Sequence, residues 1–128
     1  MIPTIFTYAA QSVTVTTLLG TNPTRFWSFN QAPHAKDDAI AAAPYSVWQL
    51  VYGSPANYIG GLPDSDNTGI QVDCYATTAT GARSVLIALR DAFEPHGYVT
   101  AYNGEDRDTA TGLYRAGFTV EFWTDRGS

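Results

Sequence analysis

At 128 residues and 13.9 kDa, with 45% hydrophobic, 13% aromatic and 15% charged residues, the chain is sized for one domain (1–128) and is too apolar to be disordered. Seven basic residues, Lys36 the one lysine among them, against twelve acidic ones give a net charge of −5, which excludes the basic stripe that tight phosphate binding requires. Apolar runs such as Ala39 to Ala43 or Val85 to Leu89 fall far short of the roughly 20 residues that cross a bilayer, and a single cysteine, Cys74, leaves packing to hold the fold.

The N-terminus lacks the charged start, apolar block and cleavage site of a secretory signal, since Pro3, Thr4, Thr7 and Tyr8 interrupt it, so export by that route is not expected. Ile2, Ile5, Phe6 and Ala9, followed by Ser12 as an N-cap, then Val13, Leu18 and Leu19 before Gly20, predict two short helices with a break near Gln11. From Thr21 to Pro44 the turn formers Asn22, Pro23, Asn30 and Pro33 predict a long loop, with at most a short strand around Phe26, Trp27 and Phe29 and an Ala-rich patch after Lys36, Asp37 and Asp38.

Tyr45 to Tyr52, aromatic and β-branched between Pro44 and Gly53, is a predicted strand whose two apolar faces suggest a central place. Gly53 to Gly69, with Pro55, Asn57, Gly60, Gly61, Pro63, Asp64, Asp66 and Asn67, is a second predicted loop. Ile70, Val72, Cys74 and Ala76 then alternate with polar residues as a half-buried strand does. After Thr78 the period changes: Ala82, Val85, Leu86, Leu89 and Phe93 form one helical stripe opposite Arg83, Arg90 and Glu94, ended by Pro95 and Gly97. Tyr98 to Tyr102 is a predicted short strand, Asn103 to Gly112 an acidic loop, and Tyr114, Ala116, Phe118, Val120 and Phe122 alternate in a last strand. The expected fold is α+β: an antiparallel sheet of about four strands, a helix over about 79–93 packed on one face, short N-terminal helices and long loops.

The residues offer little for catalysis. Cys74 with His34 or His96 would be a thiol with a base, yet Cys74 lies on the apolar face of its strand, where cysteine is commonly a small buried hydrophobe, and His34 in its loop is expected to be solvated. His96 is expected to meet the last carbonyls of the helix. Asp64, Asp66, Asn67 and Gly69 resemble the start of a calcium loop, but the twelfth position from Asp64 is Tyr75, so no bidentate carboxylate closes the shell. Glu105, Asp106 and Asp108 flank Arg107 and read first as a solvated turn. No metal or cofactor site is expected. The feature in excess is loop bearing large apolar groups: Trp27, Phe29, Tyr58 and Ile59 would be exposed unless they fold back or a neighbouring chain covers them.

Val13-Thr14 through Leu18-Leu19-Gly20, Ala32-Pro33, Pro44-Tyr45 with Val47, Trp48 and Gln49, Gly53, the run from Gln71 to Ala76 leading into an alanine- and leucine-bearing helix with Arg83, and Tyr114-Arg115 entering an alternating strand occur in an order that resembles the tail completion, or tail terminator, proteins of long-tailed bacteriophages. The similarity runs over nearly the whole chain; the segment from Lys36 to Ala43 and Gly81 in the first helical turn depart from it. The resemblance implies a non-enzymatic virion protein, assembled in the host cytoplasm and located in the tail at the neck. There it would form a ring, typically of six subunits, that caps the head-proximal end of the tail tube, stops its polymerisation and docks to the head connector or head-closure protein while DNA passes through. On this reading Trp27, Phe29, Tyr58 and Ile59 are expected at subunit or partner contacts, and Asp64, Asp66, Glu105, Asp106 and Asp108 in acidic loops lining the lumen; neither sequence-specific DNA binding nor a membrane is involved. Two other readings stay open: a small metal-dependent hydrolase using Asp64 and Asp66 or the Glu105, Asp106 and Asp108 carboxylates, and a head-closure protein of the same neck.

Overall fold

A computed structural model of the chain describes residues 5–21, 24–28, 35–55 and 65–125, with side chains over 5–21, 24–28, 35–51 and 68–122. In chain order the elements are α1 (Ile5–Ala10), α2 (Val13–Leu19), β1 (Phe26–Ser28), α3 (Lys36–Ala42), β2 (Tyr45–Pro55), β3 (Ser65–Ala76), α4 (Ala79–Phe93), β4 (Gly97–Arg107) and β5 (Tyr114–Asp125). The strands form one sheet in the order β1-β2-β3-β5-β4. The four long strands are antiparallel as expected, while the three-residue β1 runs parallel to β2 and makes the sheet mixed. The fold is α+β, with β3 rather than β2 at its centre.

Alternation decides which face of the sheet is covered. Ile70, Val72 and Cys74 of β3 stand opposite Val120, Phe118 and Ala116 of β5, and all six are buried. Against them α4 lays Val85, Ala88, Leu89 and Phe93, while α1 and α2 add Ile5, Ala9, Val15 and Leu19. Phe93 is the hub: its ring lies 5.9 Å from Phe26, 6.3 Å from Phe118 and 5.8 Å from Phe122. Local chemistry shapes the ends of these helices. Ser12 accepts from the Val15 N–H at 3.3 Å, and Gly20 takes a φ of 85°, as expected of an N-cap and a terminal glycine. Thr78 caps α4 by accepting from the Gly81 N–H at 2.9 Å. A Cβ on Gly81 would stand 2.9 Å from that Thr78 hydroxyl and 3.1 Å from the Ala76 Cβ, which accounts for a glycine in the first helical turn.

Four expectations are corrected. The Ala-rich patch is no loop: residues 36–42 form α3, whose Ala39 packs on the opposite face of the sheet against Tyr45 and Leu113. The second long loop shrinks, because β2 continues to Pro55 and β3 begins at Ser65, so Asp66 is a strand residue paired with Pro55 and Thr124. The acidic loop after Tyr102 is mostly strand: β4 passes through a bulge at Gly104 (φ +88°) and pairs Glu105 with Ala116 and Asp106 with Arg115. His96 does not turn its ring to the helix carbonyls; it stacks on Tyr8 with ring centroids 3.7 Å apart, and its backbone N–H bonds the Phe93 carbonyl.

Candidate functional site

Charge on this chain is organised by the sheet. Asp73 of β3 and Arg115 of β5 project from the face opposite α4, and Arg115 Nη1 donates to Asp73 Oδ1 at 2.8 Å. Its remaining donors, Nε and Nη2, reach across to β4 and grip Asp106 in a two-pronged bond at 2.9 and 3.0 Å, while Gln71 donates to Asp73 at 3.2 Å. One guanidinium therefore ties three adjacent strands. These contacts hold the Asp106 carboxyl below its usual range and push Arg115 above its own. On the other face Arg83 of α4 forms a two-pronged bond with Glu105, which lowers that carboxyl as well, and Arg107 lies over the Tyr114 ring while donating to the Gly112 carbonyl.

The neighbouring turn is built by Asp108. Its carboxylate accepts from the Ala110 N–H and the Thr111 hydroxyl, and the Gly112 N–H bonds its carbonyl at 2.7 Å, with Gly112 at a φ of 78°. Glu105, Asp106 and Asp108 thus each engage a different partner and do not converge on a common point, so they lack the geometry of a cation shell. Among the described residues no group of histidine, cysteine and carboxylate side chains converges.

Cys74 is fully buried, beside the Ser46 hydroxyl at 3.7 Å, and burial pushes its thiol up to about 12. A thiol so protonated is no nucleophile at neutral pH. Beyond Arg115, Tyr75 stacks on Tyr45 at 5.1 Å, and Trp27 lies 5.7 Å from Tyr45, giving an aromatic row beside α3. Burial first and the nearby Asp73 second push the Tyr75 phenol up to about 12. Clefts of about 280 and 450 Å³ open on either side of Glu105, the first beneath Ala79 and Tyr114 and the second between α4 and β4, lined by Arg83, Leu86, Ile87 and Tyr102. Such an arrangement neutralises and braces its own charges; it suits a surface that meets other proteins.

The family model for tail completion protein gp17 matches residues 3–125. The chain belongs to this family. A comparison with curated proteins gives no match. Among solved structures, a chain from the virion of a native gene transfer agent particle has the same fold, with a TM-score of 0.63 at 11% identity, covering 94% of this chain and 91% of that one. As a tail completion protein the chain is a structural component of a bacteriophage-type virion, located in the tail at the neck.

Within this tail completion protein, the residues singled out from sequence fall in several places. Trp27 is half-buried in the small aromatic cluster beside α3. Phe29, Tyr58, Ile59 and Asp64 lie outside the described residues, as does the side chain of Asp66. Glu105 and Asp106 belong to a strand and Asp108 to a turn, rather than to one open loop. Asp66, near the start of β3, and the Glu105 to Asp108 group, beside its Cys74 to Ala76 end, are separated by most of the strand, about 30 Å at roughly 3.4 Å per residue.

Sequence reasoning missed the Asp73–Arg115–Asp106 tie. Asp73, Asp106 and Arg115 are each visible in their own stretch, but the pairing register that makes them neighbours is not a local property. It also missed the exposed apolar groups Leu50 and Val51 of β2, Tyr102 of β4 and Ile87 of α4.

Proposed function

We propose that this chain forms a ring of six subunits at the head-proximal end of the tail tube, where it ends tube polymerisation and joins the tail to the head connector or head-closure protein, the genome passing through its centre. The observation that carries the reading is the match to the tail completion family over residues 3–125. The whole chain, 1–128, acts as one tail-terminator-like domain with no catalytic step. A 128-residue domain has a radius of gyration of roughly 14 Å and so a diameter of about 35 Å. Six touching spheres of that size leave a hole of about one diameter, wide enough for a DNA duplex.

Trp27, Phe29, Tyr58 and Ile59 are assigned to contacts with neighbouring subunits, the tube protein or the connector. The carboxylates Asp64, Asp66, Glu105, Asp106 and Asp108 are assigned to the wall of the channel. Because Asp66 and the Glu105 group stand at opposite ends of β3, both can meet the channel only if the strands run along it, with one group near each mouth. Arg83 and Arg115 neutralise Glu105 and Asp106, so repulsion of phosphate at the wall falls to Asp64, Asp66 and Asp108, backed by the net charge of −5 per subunit, and the DNA finds no adhesive site during passage. Imaging of assembled particles tests the reading. A ring of this protein between tube and connector is the expected result; its absence from the neck, or a single copy there, overturns the proposal.

A further inference from the structure

β4 stands at one end of the sheet and, among the described residues, pairs with β5 alone. Its side chains agree: Tyr98 and Tyr102 are 49% and 60% exposed, and Thr100 and Ala101 between them are exposed too. An edge strand presents a row of N–H and C=O groups, and proteins blunt such edges with charge, glycine and bulges. Half of β4 is blunted in this way: Gly104, the register shift between Tyr102 and Glu105, and the charges of Glu105, Asp106 and Arg107 occupy 103–107. Residues 97–102, bulged once at Thr100, carry no charge.

Beside this uncharged stretch runs the cleft of about 450 Å³ between α4 and β4, walled by Leu86, Ile87 and Tyr102. Arg83 at its rim is bound to Glu105, and Arg90 to Asp91, Glu94 and Tyr102, so neither guanidinium is left to draw in a charged ligand. Val99 and Tyr102 stand opposite Val120 and Phe118, on the face that α4 covers. A strand laid along 97–102 would turn every second side chain to that same face, over the cleft.

We infer that this edge and cleft take an extended, uncharged segment of another virion protein, which adds to β4 as a sixth strand and seats alternate apolar side chains against Leu86, Ile87 and Tyr102. Size and charge define the occupant. The edge of residues 97–102 is about 20 Å long, and edge and cleft together, about 15 Å wide, offer roughly 300 Å², well short of the about 800 Å² that a folded partner needs. A second copy docking by a folded face is therefore too large a partner for this surface. A single strand suits it, with backbone bonds supplying affinity and the side chains in the cleft supplying choice. The inference rests on the chain being a virion component and not on the number of subunits in the ring.

Photo-crosslinking in assembled particles tests it. Ile87, Tyr102 and, as a control that lines neither edge nor cleft, Val13 of α2 are each replaced by p-benzoylphenylalanine; all three are exposed, so each protein should melt as the wild type does. Positions 87 and 102 are expected to crosslink to one stretch of about six residues in a single virion protein other than this one, and position 13 to miss that stretch. A synthetic peptide of the stretch should then bind the purified full chain. N-methylation of one set of its alternate amides should weaken binding about tenfold or more, and methylation of the other set should change it little, because only one set faces β4. Crosslinks from 87 and 102 to this chain itself, to scattered stretches or to nothing overturn the inference. So does a peptide that fails to bind, or one that both methylations weaken equally. None of these results bears on the ring, which particle imaging decides separately.

Discussion

Gly117 of β5 faces Asp73 of β3, and a Cβ at position 117 would stand 2.5 Å from Asp73 Oδ1 and 3.1 Å from Arg115 Nη1. The glycine is there to leave room for the ion pair beside it; its role is spatial rather than conformational. Gly117→Ala should destabilise the protein by about 1–3 kcal/mol, the usual cost of forcing an extra methyl into a filled site. In a double-mutant cycle with Asp73→Ala the penalty should shrink, because the obstructing carboxylate is gone. Equal penalties in both backgrounds, read from urea unfolding, would show that the methyl meets some other group.

The cap of α4 gives a prediction that differs in size between two backgrounds. Thr78→Ala should cost about 1 kcal/mol through loss of the bond to the Gly81 N–H. Gly81→Ala in the wild type should also destabilise, since its methyl meets the Thr78 hydroxyl at 2.9 Å. With Thr78 already alanine, the penalty of the same change should shrink, because the hydroxyl is gone while the Ala76 Cβ still stands 3.1 Å away. Thermal melts of the four proteins decide the matter.

Burial grades the α4 stripe. Leu89 is fully buried, so Leu89→Ala should cost about 2–5 kcal/mol, and Phe93→Ala about 3–5 kcal/mol because three ring contacts go with it. Leu86 is only half-buried, and Leu86→Ala should cost clearly less than Leu89→Ala. Arg83, whose partner Glu105 is as exposed as itself, should give the smallest change of the set. A loss at Arg83 matching that at Leu89 would place the buried face wrongly.

Stability should fall at both ends of the pH scale for separate reasons. Arg83 and Arg115 hold Glu105 and Asp106 below the ordinary carboxylate range, so their contribution is full at neutral pH and is lost as pH drops through and below about 4. On the alkaline side burial lifts Cys74 and Tyr75 to about 12, so the unfolded chain releases protons first and the folded state loses ground as pH rises from about 9 toward 12. Urea midpoints should therefore form a plateau between the two limbs. Cys74→Ala should flatten the slope between about pH 9 and 10, before tyrosines ionise; an unchanged slope would assign the alkaline limb to other groups.

The sequence by itself determined the elements whose signals are local. Ser12 and Gly20 bound α2, period two marked the central strands, and the three-to-four spacing from Ala82 to Phe93 defined α4 and its buried face. It also carried the family, because that resemblance lies in the order of short motifs along the chain. Only the tertiary structure decided where strands end and which charges meet. Asp66, Asn67 and Gly69 are turn formers by preference, yet they lie in β3 because β2 and β5 on either side supply partners for their backbone groups. Lys36 to Ala42 has no side-chain cap and stands as a helix with Ala39 packed on Tyr45 and on Leu113, which is remote in the chain. Arg115 pairs with Asp73 and Asp106 through register, and register is fixed by the burial of whole strand faces, a property that no single stretch of sequence contains.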